Sequence, residues 1–442
     1  MKNLTKNILI GFSLGLIFGI SINLINLDQS EKEFIIEILS VGGEIFLKVI
    51  KMLVVPIVFF SLTSGVANLN ELNTPCLILD KNLLEKNCSK ARKKCDEFNT
   101  ILRPHVKTPK SIEVAKIALG KDVGPITVST LEEAEYFASS GFKDITYAVC
   151  IIPAKLKRLN YIQLKYNCVI RMVIDSVIVA KQIVNYSKLH SANFEILIEI
   201  DCGEGRSGLA YQDEKIREIS KVFNINHYTK LLGVLAHAGH SYSTNNKKEI
   251  ISISNIEREQ AIASLKNFVN TKNNPPIISI GSTPTMFYAE HLKGITEVRA
   301  GIYMFWDLAQ ASRGICEIDE IALTVLSSVI GHNQQKGKIL IDAGALALSK
   351  DISANNFMPE AGYGLVCDPN TALAYEGLNI SEVHQEHGSI NIDNTSWFDK
   401  LPIGSLVRIL PNHACLTCAA YSNYNILENG TIVESWSRTN GW

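Results

Sequence analysis

The sequence of 442 residues predicts an α/β architecture: a barrel of eight βα units, then a β-rich domain, with an apolar helical hairpin ahead of both. Three features carry this reading. From residue 73 short apolar runs alternate with amphipathic, charge-bearing segments, the pattern of parallel βαβ units. Eight such runs lie between Thr100 and Phe305, about 200 residues in all, which is the size of a (β/α)8 barrel. Beyond Glu317 the texture becomes strand–turn–strand. Ahead of everything, residues 8–27 run without a charge and are long enough to cross a bilayer as a helix.

The net charge of −1 and a charged fraction of 20% give no sign of a nucleic-acid binder. Ten cysteines are scattered along the chain rather than framed, which fits free thiols in a reducing compartment.

Taken in order, the first segment is residues 1–72. Lys2 and Lys6 precede the first apolar run and an acidic-leaning stretch, residues 28–37, follows it. The positive-inside rule then puts the N-terminus in the cytoplasm. A second uncharged run, residues 52–69, completes a hairpin and returns the chain to the same side. A cleaved signal peptide is disfavoured because no small-x-small site follows the first run. The stretch Gly43-Glu44-Ile45-Phe46-Leu47-Lys48-Val49-Ile50-Lys51-Met52-Leu53-Val54-Val55-Pro56 resembles the second transmembrane helix of the dicarboxylate/amino-acid:cation symporter family. The resemblance ends near residue 72 and omits the half of that family that binds substrate and ions. It therefore implies a membrane anchor through residues 8–69, tethering a cytoplasmic catalytic part to the inner face of the membrane, and not a transporter.

Barrel strands are predicted at residues 100–104, 126–129, 145–149, 171–174, 194–201, 231–238, 277–281 and 298–305, with helices between them at 131–140 and 254–270 among others. The β domain, residues 317–442, is predicted to hold strands at 322–330, 338–341, 381–384, 406–410 and 426–428, joined by a first strand at 76–79. Barrel chemistry sits where strands end at the C-terminal face. Four predicted strands end in polar or glycine-rich sequence: His105-Val106-Lys107-Thr108, Asp201-Cys202-Gly203-Glu204-Gly205-Arg206, His237-Ala238-Gly239-His240-Ser241-Tyr242 and Gly281-Ser282-Thr283. A lysine amine can form a Schiff base with an aldehyde cofactor. Near the C-terminus His413 and Cys415, two residues apart, can hold a zinc ion. Each feature has an ordinary reading: a solvated lysine, a plain turn at Gly281-Ser282-Thr283, a buried thiol. Convergence on one barrel face favours a site.

These motifs resemble the D-serine dehydratase/D-threonine aldolase family, which shares an alanine racemase-type barrel plus β domain. The resemblance covers residues 73–442 and rests on Arg103-Pro104-His105-Val106-Lys107-Thr108, Glu199-Ile200-Asp201-Cys202-Gly203, Glu297-Val298-Arg299-Ala300-Gly301-Ile302-Tyr303, Ile341-Asp342-Ala343-Gly344 and Pro411-Asn412-His413-Ala414-Cys415, in order. Pro109 departs from it, where histidine is usual.

The resemblance implies that Lys107 carries pyridoxal 5′-phosphate, with burial lowering the pKa of its amine. Gly281 and Ser282 would hold the phosphate with backbone donors, Tyr303 and Tyr242 would lie near phosphate or ring, and Arg206 would orient the ring. His413 and Cys415 would bind metal, both pointing one way as alternate residues of a strand. Cysteine in the pair suits Zn2+ and a dehydratase; the aldolase branch, with aspartate there, suits Mn2+ or Mg2+. Cys418 reads as an incidental thiol. His237, His240 and His387 are candidate bases or hydrogen-bonding supports. The implied activity is a lyase acting on D-β-hydroxy amino acids, as a homodimer. An amino-acid racemase and a non-catalytic cofactor-binding protein are the rivals, both disfavoured by the metal pair.

Overall fold

The computed structural model describes residues 69–224, 227–269 and 275–442, with isolated positions Asp28 and Lys48. The chain divides into two units, Met1–Ala67 and Asn68–Trp442. The expected membrane hairpin, residues 8–69, lies outside the described residues but for Asp28, Lys48 and Leu69. Among the described residues no helix is long and apolar enough to cross a membrane.

The second unit opens with β1 (Cys76–Asp80) and the helix Lys81–Glu97, which starts where Asp80 accepts a hydrogen bond from the Leu83 amide. The barrel follows: β2 (Ile101–Leu102), β3 (Ile126–Val128), β4 (Asp144–Cys150), β5 (Val169–Ile174), β6 (Phe194–Asp201), the short β7 (Leu209–Ala210), β8 (Thr229–Ala236), β9 (Ile277–Ile280) and β10 (Glu297–Val298). Their hydrogen-bonded order is β2-β10-β9-β8-β6-β5-β4-β3, all parallel, with β7 on the side of β6. A parallel bridge between His105 and Thr127 closes the ring. The strands are rich in isoleucine, leucine and valine because both faces are covered; Ile196, Ile198 and Ile200 of β6 are buried on one face and Leu197 on the other.

The β domain contains β11 (Leu323–Asn333), β12 (Lys338–Ile341), β13 (Gly364–Cys367), β14 (Ala374–Asn379), β15 (Glu382–Val383), β16 (Gly388–Asn391), β17 (Leu406–Pro411), β18 (Asn423–Glu428) and β19 (Thr431–Ser437). Its spine runs β14-β13-β17-β11-β1-β18-β19. Strand β1 thus belongs to this sheet, antiparallel to β11 and parallel to β18.

Two predicted elements differ most in their bounds. The strand expected over 298–305 is two residues long, because the chain turns at Gly301 into a short 3-10 helix, Ile302–Met304. A Cβ at Gly301 would sit 2.5 Å from the His105 carbonyl oxygen, so only glycine lets this turn lie against the Lys107 loop. The helix expected over 254–270 begins earlier and spans Lys247–Ser264, capped by the Asn246 side chain on the Lys248 amide.

Candidate active site

The loop after β2 is pinned before it presents Lys107. The Arg103 guanidinium is buried between Glu297 (2.7 Å) and Asp144 (2.8 Å). The His105 amide donates to Ala300, the Val106 amide to Thr127 and the Lys110 amide back to Val106. Lys107 is left exposed to a cavity of about 360 Å³ at the C-terminal ends of the barrel strands. Burial of this lysine, expected from the sequence, is not what the structure shows.

Lys107, Arg206, Tyr242, Ser282, His413 and Cys415 all line that cavity. An adjoining space of about 340 Å³ shares Lys107, Arg206 and His237 and reaches Gly281. Tyr303 lines neither. It is fully buried beside Phe287 and toward Cys88 and Cys95 of the first helix, and its hydroxyl has no partner. The turn at Gly301 has taken it out of the strand register that would have aimed it at the cofactor.

Gly281 also plays a different part from the one expected. Its amide donates to Glu257 Oε1 at 3.1 Å and is not free for a phosphate. Glu257 is fully buried and also accepts from the Ala238 amide (3.0 Å) and the Thr285 hydroxyl (2.8 Å). One carboxylate therefore ties together the ends of β8 and β9. At Gly281 φ is +152° and a Cβ would meet the Arg299 amide at 2.6 Å, so glycine is required for this close approach.

Next to it, Ser282 caps the helix Thr283–Tyr288, its hydroxyl 2.9 Å from Ser241 and Thr285 hydroxyls. The Thr283 amide donates to the buried Tyr242 hydroxyl at 3.2 Å, while the Thr283 hydroxyl is buried without a partner. Burial pushes the Tyr242 pKa up to about 12. A cluster of hydroxyls with one orphan fits an acceptor-rich group such as a phosphate.

His237 and His105 stand on the other side of Lys107. Burial, then the Lys107 charge, draws His237 down to about 3, and the same causes put His105 well below its ordinary value. Both shifts favour the neutral imidazole. His237 Nδ1 is bonded to the Gly281 carbonyl. His240 lines neither space, and His387 is exposed outside both.

Arg206 is half-exposed and turned to Glu204, 3.3 Å away. Arg299 is the cation the sequence argument passed over. It is fully buried, bonded at 2.7 Å to the Ser279 hydroxyl and at 2.7 Å to the Ala236 carbonyl, and lines both spaces. Burial lowers its pKa to about 10 despite nearby Glu297. Its motif, Val298-Arg299-Ala300-Gly301, was visible, but nothing local told its depth from that of Arg206.

His413 and Cys415 face the cavity, though not from a strand. β17 ends at Pro411; His413 is the N-cap of the helix Ala414–Cys418, whose second residue is Cys415. The His413 Nδ1 lies 3.0 Å from Asp351, and Cys415 Sγ 3.1 Å from the Thr108 hydroxyl. Burial pulls His413 down, but Asp351 and Cys415 outweigh it and hold its pKa near 11. Cys415 is lowered: His413 and Lys107 override the cost of burial. An imidazole oriented by a carboxylate beside an acidified thiol is a donor pair suited to a divalent cation. Among the described residues no group of three or more His, Cys, Asp and Glu side chains is arranged to hold one. Cys418 is buried away from the cavity.

Comparison with known proteins identifies the fold and the family. The alanine racemase N-terminal domain matches residues 79–308, a serine dehydratase domain residues 322–427 and the sodium:dicarboxylate symporter family residues 4–77. The chain is 35% identical to D-threo-3-hydroxyaspartate dehydratase of Delftia sp. (strain HT23) over 84% of this chain and 98% of that protein. It is 31% identical to D-serine dehydratase of Dictyostelium discoideum over 85% and 98%. The solved structure of the Delftia enzyme superposes with a TM-score of 0.81, covering 85% of this chain and all of that one. Fold and relatives thus define a pyridoxal phosphate-dependent lyase with an alanine racemase-like barrel, acting on D-β-hydroxy amino acids. Within that class, the chain belongs to the D-serine dehydratase/D-threo-3-hydroxyaspartate dehydratase family.

Proposed function

We propose that the chain is a metal-assisted dehydratase, converting a D-β-hydroxy amino acid to a 2-oxo acid and ammonia. The carrying observation is that His413 and Cys415 open on the same cavity as Lys107, with Cys415 touching Thr108, the residue after the lysine.

Pyridoxal phosphate, when bound, supplies the electron sink for a negative charge at Cα. Lys107 would hold its aldehyde, and Ser282, Thr283 and Tyr242 its phosphate. Arg299, rigid and buried, is better placed than Arg206 to hold the ring nitrogen. Lys107, in the wall of the cavity, is the candidate to take the Cα proton. Arg206, at the rim, is available to the substrate's α-carboxylate. His105 and His237, neutral, serve as fixed walls and not as proton donors. A divalent cation on His413 and Cys415 would act as Lewis acid toward the β-hydroxyl, and the thiolate suits zinc over harder ions. One similar solved structure is of a D-threo-3-hydroxyaspartate dehydratase cysteine-to-alanine mutant in the metal-free form, which supports a metal site in this family that involves a cysteine.

The test uses the full chain loaded with pyridoxal phosphate and zinc. D-serine and D-threo-3-hydroxyaspartate are expected to give 2-oxo acid, lost on chelation, while the Schiff-base absorbance persists. Lys107→Ala is expected to abolish that absorbance. Glycine plus aldehyde as products would move the reading to aldolase cleavage, a reaction named for more distant relatives such as D-threonine aldolase of Arthrobacter. The match of residues 4–77 to the symporter family supports a further reading, a membrane tether for a cytoplasmic catalytic part. Sedimentation of the full chain with membranes, compared with a chain starting at Asn73, tests it; a homodimer is tested by light scattering of the same samples.

A further inference from the structure

Two neighbouring helices on the outside of the barrel carry an unusual surface. The helix Leu156–Tyr166 joins β4 to β5 and the helix Val177–His190 joins β5 to β6, so they lie side by side against adjacent strands. Their ends adjoin: the Gln163 side chain donates to the Asn193 carbonyl, just past the second helix, at 3.1 Å, and Leu164 and His190 line one groove. Each helix buries one stripe, Leu156, Leu159 and Ile162 on the first and Ala180, Ile183 and Val184 on the second. The outer faces carry the three most exposed large aliphatic side chains among the described residues, Leu164 (75%), Ile178 (70%) and Leu189 (79%). Tyr161, one turn before Leu164, is exposed as well.

Charge on these faces is of one sign. Neither helix contains an aspartate or glutamate, whereas the helices on either side, Leu131–Ser139 and Glu214–Asn224, carry Glu132, Glu133 and Glu135 and Glu214 and Glu218. Arg158 and Lys165 are engaged by Glu132 and Glu135 of the preceding helix. Lys157, Lys181 and Lys188 are exposed and, among the described residues, have no carboxylate within ion-pair distance. Leucines standing singly among unneutralised lysines on convex helix faces match an anionic bilayer interface, where lysine stems reach the headgroups and the apolar tips enter the acyl boundary. A second copy of the chain fits less well, because a two-fold contact through this face sets the same lysines against each other. The match of residues 4–77 to a symporter family supports a membrane location on separate grounds.

We propose that this flank of the barrel docks on an anionic lipid surface, with Leu164, Ile178 and Leu189 in the interface and Lys157, Lys181 and Lys188 on the headgroups. The docking is a property of the second unit and does not depend on the tether. That unit is what the Delftia relative corresponds to, matched over 98% of its own length by 84% of this chain, so a chain of residues 68–442 is the sample. Its flotation with vesicles of equimolar phosphatidylglycerol and phosphatidylcholine is compared with pure phosphatidylcholine. Each lysine brought to an anionic surface raises partition about fivefold, so the triple variant Lys157→Gln, Lys181→Gln, Lys188→Gln is expected to bind the anionic vesicles about a hundredfold more weakly. Leu164→Ser and Leu189→Ser are each expected to weaken binding about tenfold. Wild-type binding is expected to fall at least tenfold between about 0.1 and 1 M salt, which decides the electrostatic part without any variant. None of these residues lines the cavity, so turnover in solution is expected to stay at the wild-type level and to report an intact fold. No binding to the anionic vesicles, equal binding to both kinds, or a triple variant that binds like wild type overturns the proposal. So does a dimer in light scattering that Leu164→Ser or Leu189→Ser dissociates, since the face then belongs to a second copy. The full chain on pure phosphatidylcholine vesicles tests the tether alone, so failure of one reading is distinguished from failure of the other.

Discussion

Glu257→Ala is the substitution whose cost the structure defines most closely. The carboxylate is fully buried and accepts three hydrogen bonds, from the Ala238 and Gly281 amides and the Thr285 hydroxyl. The Thr285 hydroxyl can turn to Ser282, 2.9 Å away, but the two amides both depend on Glu257 Oε1. A buried donor left unpaired costs about 1–3 kcal/mol, so the two amides cost about 2–6 kcal/mol. Removing the buried charge, whose burial raises the Glu257 pKa, returns part of this and leaves about 2–4 kcal/mol. Glu257→Gln keeps one oxygen for both amides and is expected to lose about 1 kcal/mol. Denaturant unfolding of the full chain gives both numbers. Because Glu257 ties the segments bearing His237 and Ser282, pyridoxal phosphate affinity is expected to drop about tenfold or more in the alanine variant and little in the glutamine one. An alanine variant within about 1 kcal/mol of wild type, or a glutamine variant equally destabilised, would refute the clamp.

Other consequences are as direct. Asp351→Asn removes the carboxylate that orients His413 and is expected to weaken metal binding about 10–100-fold, measured by chelator competition. Tyr303→Phe deletes a buried hydroxyl without a partner and is expected to leave cofactor affinity unchanged and raise the unfolding free energy by about 1 kcal/mol; weaker cofactor binding would restore Tyr303 to the site. Gly281→Ala drives a Cβ into the Arg299 backbone and is expected to lower soluble yield and cofactor loading together, checked by absorbance of the purified protein.

Much of the site was legible because its signals are local. Lys107 follows an apolar strand in a tight polar motif, and His413 and Cys415 stand two residues apart after another. What failed depended on distance in the fold. Arg299 is fixed by Ser279, 20 residues away, and by Ala236, 63 away, so its depth has no local mark. Tyr303 was misplaced because a continuous strand was read through Gly301, whose contact with the His105 carbonyl bends the chain. The strands β14 and β19 were missed because Ala374–Asn379 and Thr431–Ser437 are largely exposed and carry little apolar alternation. Asp351 lies in no motif; only the folded chain brings it to the cavity.

The two halves of the chain supply one site through a small set of bonds to the Lys107 loop. The Pro109 carbonyl accepts from the Tyr424 hydroxyl at 2.7 Å and from Arg438 Nε at 3.4 Å, and the Lys110 carbonyl from the Thr439 amide at 2.8 Å. Thr108 meets Cys415, and the Ala414 amide donates to Asp307, which also caps the helix Leu308–Ala311. The distance from lysine to metal pair is therefore set by the join between barrel and β domain and by neither half alone. These contacts are compatible with a proline where the family resemblance leads one to expect histidine. Proline has no amide to donate at 109, and the atom of this residue that bonds across the join is its carbonyl, which proline keeps.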